Sequence, residues 1–161
     1  MKRSKKFVKV LSGILLMGVI VITSTGCKKT ENISVDVKVL STNLTSEITY
    51  DDELSEIDLE TAKNIYELGE AEITDSSIYV SSGATAEEIA VISCKDSNSA
   101  KIVEEAFETR VENQKISFQD YVPEELKKLD KAVIIKKGNY VVFSVSNDDT
   151  KAKDIINNGL K

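Results

Sequence analysis

Ser77-Ile-Tyr-Val-Ser-Ser-Gly-Ala-Thr-Ala-Glu-Glu-Ile-Ala-Val-Ile-Ser-Cys-Lys95 is the stretch on which the fold turns. From Ser77 to Ser82 and from Glu88 to Lys95 the pattern has the period of two expected of strands, whose alternate residues point to opposite faces. Gly83-Ala84-Thr85-Ala86-Glu87 between them reads as the loop of a hairpin. Thr85-Ala86-Glu87-Glu88 also fits a capping box, so a single helical turn within the loop is the alternative for those residues.

Downstream the period changes to that of a helix. Ala100, Val103, Ala106, Phe107, Val111 and Phe118 line one side, while Glu104, Glu105, Glu108 and Glu112 occupy the other. Pro123 marks the end of that element and starts a single turn over Glu124 to Leu129. Lys131 to Lys137 and Tyr140 to Ser146 then read as two strands across Gly138-Asn139, a favoured two-residue connection. Asn147-Asp148-Asp149 caps a last helix carrying Ala152, Ile155 and Ile156, which ends near Gly159.

Upstream, Val37, Leu40, Leu44 and Ile48 recur at helical spacing, although Val35, Val37 and Val39 also alternate as a strand would. Residues 51–56 read as an acidic turn, after which Leu59, Ala62, Ile65 and Tyr66 form the apolar face of a short helix, with Asp58 placed to cap it and Gly69 to end it. The expected fold is therefore α+β: an antiparallel four-stranded sheet from two hairpin-helix units, preceded by two short helices, with the helices on its apolar face. The order of the strands is left open by the sequence.

The chain has 161 residues and no histidine, which excludes imidazole as base, proton shuttle or metal ligand. Its two cysteines, Cys27 and Cys94, exclude a disulfide framework and four-cysteine metal sites. Five basic side chains (Lys2, Arg3, Lys5, Lys6, Lys9) and no acid precede an uncharged, apolar run from Val10 to Thr23. Ser24-Thr25-Gly26-Cys27 and the polar Lys28-Lys29-Thr30 follow, completing the three parts of a secretory leader. The small residues directly before a cysteine resemble the lipobox of bacterial lipoproteins, with Ser24 where an aliphatic residue is usual. That resemblance implies lipidation of Cys27, a leader over 1–26, a tether over 27–34, and one domain over 35–161 on the outer face of the cytoplasmic membrane. An uncleaved helix would leave the domain on the same side, since the basic cluster stays in the cytoplasm.

Residues 27–161 carry 16 basic and 27 acidic side chains, a balance that argues against nucleic acid as a partner. The surplus lies in residues 47–75, with eleven acids and one base, Lys63. Asp51, Asp52, Glu53 and Glu56 in that segment form a candidate surface for a basic envelope protein, weighed against a purely solubilising role. The spacing of a calcium loop is absent, and no metal or cofactor is expected. Ser82, Gly83, Thr85 and Glu87 form the candidate functional loop, although neither a G-x-S-x-G elbow nor an S-x-x-K spacing surrounds its serines. Cys94 reads as a packed small hydrophobe. The lysines around the second hairpin (Lys127, Lys128, Lys131, Lys136, Lys137) read first as a solvated, protected edge, with contact to an anionic membrane as the alternative.

Tyr79 to Val91, Phe118-Gln-Asp-Tyr-Val-Pro123 and Gly138 to Ser146 together resemble the domain-of-unknown-function family numbered 4358. The resemblance extends from about Val35 to Leu160 and implies a small, lipobox-bearing protein of low-GC Gram-positive bacteria. It implies no activity and no catalytic residue. The expected function is a non-catalytic binding or accessory module of the cell envelope. A carboxylate-based cell-wall hydrolase and a small solute-binding lipoprotein are the alternatives.

Overall fold

The structure is a computed structural model and describes residues 34–161. The expected leader 1–26, Cys27 and the tether up to residue 33 lie outside the described residues. In chain order the elements are α1 (Val37–Glu47), β1 (Ser55–Ile57), α2 (Leu59–Tyr66), β2 (Ile73–Val80), β3 (Glu88–Cys94) and α3 (Ser97–Phe118). A 3-10 turn at Pro123–Glu125 then leads into α4 (Leu126–Leu129), β4 (Val133–Lys137), β5 (Tyr140–Val145) and α5 (Asp149–Gly159). The architecture is α+β with one antiparallel sheet in the order β1-β2-β3-β5-β4.

The sheet has five strands where four were expected. The addition is β1, overlapping the end of the segment read as an acidic turn, where Ser55, Glu56 and Ile57 pair with Val80, Tyr79 and Ile78. Three residues are too few to display an alternating pattern, which is why the sequence reading passed over it. The two hairpins join through β3 and β5, with Glu88 opposite Val145 and Ser93 opposite Tyr140.

Helices cover both faces, not one. On one side Ile78, Ala90, Ile92, Val141, Phe143 and Val145 pack beneath α2 and α3. On the other, Ile89, Val91, Val133 and Val142 pack beneath α1 and α5. Being covered on both sides explains why Glu88–Cys94 and Tyr140–Val145 are nearly continuous apolar runs rather than strict alternations. The centre of the first core is aromatic: Phe107 stacks on Phe143 at 5.0 Å and meets Tyr66 edge-on at 5.2 Å.

Local chemistry sets the helix ends. Asp36, Asp58, Asp96 and Asp148 each accept from backbone N–H groups of the first turn that follows. α2 ends earlier than Gly69: Glu67 takes the left-handed conformation at φ 53° and closes the helix at Tyr66. α1 and α5 approach so closely that a Cβ on Gly159 would lie 2.6 Å from a methyl of Leu40.

Candidate functional site

The β2–β3 connection is an irregular loop and not the helical turn of the capping-box alternative. Its Thr85 hydroxyl instead donates to the Glu87 carboxylate at 3.2 Å. Gly83 stands at φ 94°, a backbone shape that side chains disfavour, although a Cβ there would meet nothing within 4 Å. The glycine is thus required by backbone geometry and not by crowding.

Glu87 and Glu88 are consecutive at the head of β3, so their side chains point to opposite faces of the sheet. Both are almost without solvent contact, at 0% and 1% exposure. Each therefore needs a cation and hydrogen-bond donors of its own, because an unpaired buried carboxylate is very costly.

Glu87 is met by the loop after α1 and by α4. It accepts from the backbone N–H of Asp51 at 2.9 Å and of Asp52 at 3.0 Å. The Lys128 ammonium lies 3.2 Å from Glu87, 3.0 Å from Glu125 and 2.8 Å from Asp51. These are ion-pair contacts by distance, with the oxygens off the best hydrogen-bonding directions of the ammonium. Burial pulls the Lys128 pKa down, but the carboxylates of Asp51, Glu125 and Glu87 beside it outweigh that and hold the group above the ordinary lysine value. Glu125 also accepts from the Ala86 N–H at 2.8 Å, which ties the loop to the 3-10 turn. Tyr50 lies against the same group, and its phenol is pushed up by burial first and by the charge of Glu87 second.

Glu88 is met by α3 and α2. It accepts from Arg110 Nε at 3.0 Å, Gln114 Nε2 at 3.1 Å and Tyr66 Oη at 2.9 Å. Arg110 also lies over the Tyr66 ring, 5.7 Å from its centroid. Burial, and then the carboxylate it donates to, keep the Tyr66 phenol protonated well beyond its ordinary range.

Between these two networks a cleft of about 310 Å³ opens at the end of the sheet. The loop Ser81 to Thr85 forms one wall, with Glu87 and Glu88 at its inner end. Arg110, Gln114, Ser117 and Phe118 of α3 form another wall, and Ile65 and Tyr121 add apolar surface. Tyr121 is 72% exposed at the rim.

The candidate residues chosen separately from the sequence are partly brought together here. Asp52 accepts from the Ser82 backbone N–H at 2.9 Å and from the Ser82 hydroxyl at 2.5 Å. Its carboxyl is held below the usual range by those bonds. Asp51 pairs with Lys128 and accepts from Asn147, which lower its pKa likewise. Asp51 and Asp52 thus fasten the segment after α1 to the functional loop. Glu53 remains exposed, and Glu56 stands on the edge strand opposite Tyr79, beside a separate shallow groove with Asp58 and Asp75. The candidate acidic surface is therefore divided between two places.

The sequence profile of the family described as Domain of unknown function (DUF4358) matches residues 46–146. The chain belongs to this family. The matched span is narrower than Val35 to Leu160, stopping short of α5 and of most of α1. Every residue of the cleft and all four members of the Lys128 cluster fall inside the DUF4358 span. No curated protein and no solved structure matches the chain.

Sequence reasoning missed Lys128, Glu125, Glu88, Arg110 and Tyr121. A signal existed for two of them. Arg110 is the only arginine among the described residues in a lysine-rich chain, and arginine suits a buried, forked pairing with a carboxylate. Glu87-Glu88 places two charges directly before an apolar strand, where burial demands partners. Lys128, by contrast, had been grouped with solvated lysines; it is buried, at 6% exposure. Cys94 is buried in the α3-side core, and among the described residues no group of three or more His, Cys, Asp or Glu is arranged to hold a metal ion.

Proposed function

We propose that the protein is a membrane-anchored extracytoplasmic lipoprotein whose domain is a non-catalytic binding module of the cell envelope. The observation that carries the reading is the position of the cleft. Where the described chain begins, the Val35 N–H donates to the Tyr140 hydroxyl at 3.2 Å, next to the β4–β5 turn. The cleft lies at the opposite end of the sheet, about 17 Å away along β3 at roughly 3.3 Å per residue. An anchor at Cys27 would join the domain at the first end and leave the second the farther from the point of attachment. Among the described residues no helix is long and apolar enough to cross a membrane; the anchor of this reading rests on the small residues directly before Cys27.

The engagement of Glu87 and Glu88 supports binding over hydrolysis. Each carboxylate that reaches the cleft is already held by a cation and by hydrogen-bond donors, which leaves neither placed as a free general acid or base.

Two measurements on cells test the proposal. Metabolic labelling with a fatty acid is expected in the wild type and absent in Cys27→Ala; equal label would overturn the anchor. A photo-crosslinking side chain placed at Tyr121 is expected to give an envelope adduct that the same group at Asn139 does not. Equal adducts from both ends would overturn the placement of the binding site.

A further inference from the structure

We infer that the cleft receives a cationic side chain, a guanidinium or primary ammonium carried by a basic segment of a partner protein. This deepens the binding reading above and rests on it. The first ground is the direction of the hydrogen bonds in the wall. A hydroxyl has one proton to donate and two lone pairs. Four of the five hydroxyls lining the cleft have committed that proton inward, and the fifth, on Tyr121, stands at the exposed rim. Ser81 donates to the Thr85 carbonyl at 2.6 Å, Ser82 to Asp52 at 2.5 Å, Thr85 to Glu87 at 3.2 Å and Ser117 to the Asn113 carbonyl at 3.0 Å. Gln114 must turn its NH2 group to Glu88, which only accepts, and so keeps its carbonyl oxygen for other partners. Apart from the Tyr121 hydroxyl at the rim and Arg110 Nη1, the wall therefore offers acceptors, and an occupant that donates fits it best.

The second ground is charge. Within the two networks Asp51, Asp52, Glu87, Glu88 and Glu125 stand against Lys128 and Arg110, while Lys127 and Lys131 line the neighbouring groove. Arg110 is the one cation on the cleft wall, and its Nε and Nη2 are turned to Glu88 at 3.0 and 3.4 Å. The excess is three negative charges, which favours a cation and repels an anion.

The third ground is shape. The volume, about 310 Å³, is at the small end of ligand cavities and suits one long side chain. Ile65 and Phe118 offer surface for an aliphatic stem, and the exposed ring of Tyr121 offers a face for the charged head. A neutral glycan fits less well. Its hydroxyls accept as well as donate, and they draw nothing from the negative field.

The test compares isosteres differing only in charge. The full-length chain in nonionic detergent, labelled with 15N, is titrated with N-acetyl-arginine methylamide, N-acetyl-citrulline methylamide and chitotriose. Millimolar binding of the arginine probe is expected, with amide shifts at Gly83, Gln114 and Tyr121. Binding of the citrulline probe is expected to be at least tenfold weaker. Tyr121→Ala should weaken the arginine probe about fivefold without changing the melting temperature, the size expected for an exposed cation–aromatic contact. Equal binding of arginine and citrulline probes, or chitotriose shifting the same amides more strongly, would overturn the cationic occupant while leaving a binding cleft. Arginine-probe shifts located elsewhere, or no shift with any probe, would overturn the assignment of this cleft itself.

Discussion

Replacing Lys128 with methionine keeps most of the aliphatic stem and deletes the ammonium that three carboxylates share. Those carboxylates lie at 2.8, 3.0 and 3.2 Å, and two of them, Glu125 and Glu87, are buried. Removing one partner of a buried ion pair costs about 3–5 kcal/mol, because the remaining charge is left without compensation. Here one deletion strands two buried carboxylates, so about 4 kcal/mol is a conservative expectation against the ~5–15 kcal/mol that stabilises a whole domain. With a urea slope of ~2 kcal/mol/M, the unfolding midpoint should fall by about 2 M. The measurement is a urea titration followed by far-UV circular dichroism, on a Cys27→Ser chain and on the same chain with Lys128→Met. Adding Glu87→Gln to the methionine variant removes one stranded charge and should recover part of the loss. The pH dependence has a definite sign. The Lys128 pKa is raised above 10.5, so its contribution is complete below that value and disappears as the pH rises through the raised one. The gap between parent and variant should be flat through neutral pH and close only in strong alkali. A midpoint within about 0.5 M of the parent would refute Lys128 as the charge that holds this end of the sheet.

Phe107→Ala should cost about 3–5 kcal/mol, since the ring is fully buried between Tyr66 and Phe143; an unchanged denaturation midpoint would contradict that packing. Glu67→Gly should stabilise by about 1 kcal/mol by removing a side chain from a left-handed position, raising the melting temperature by roughly 3–6 °C. Burial, with a smaller push from Asp96, raises the Cys94 thiol to about 11. In a Cys27→Ser chain iodoacetamide at pH 7.5 should therefore label Cys94 only after unfolding, and rapid labelling of the native chain would count against its burial. Asp51, Asp52, Asp58, Asp96 and Asp149 all have lowered pKa values, so their contributions are present above 3.8 and are lost as the pH falls through the lowered values. Acid unfolding beginning at pH 6 would conflict with them.

The elements that were legible in the sequence are those whose own residues determine them. α3 announces itself through Ala100, Val103, Phe107 and Val111 on one side and through Pro123 beyond its end, while its cap, Asp96, emerged only with the structure. The β4–β5 turn follows from Gly138, whose φ of 59° suits the first position of a tight hairpin. β1 was not legible because three residues take their shape from the neighbour they pair with, Val80 to Ile78. The second helical layer escaped for a related reason. Burial of both sheet faces is a property of assembled strands, and a continuous apolar run does not say which helix covers which side. At the site, Ser82, Gly83, Thr85 and Glu87 stood out as the loop most recognisable in the family resemblance, and the cleft is lined by all four. Lys128, on the other hand, looks like any lysine in Leu-Lys-Lys-Leu until the fold carries Asp51 and Glu87 to it.

The central seam between β3 and β5 also governs how the domain assembles in time. Each hairpin closes across a short connection, an event of about 1–10 μs for an isolated pair. The seam joins partners separated by the whole of α3 and β4, so its closure carries a larger entropic cost and comes later. A chain delivered from its amino end presents β3 well before β5 exists to pair with it. During that interval the Ile89 to Ile92 backbone is an apolar edge open to any other extended chain. The period of greatest exposure to aggregation thus falls in the stretch of synthesis that separates Cys94 from Tyr140, and it ends when the last hairpin zips onto the first.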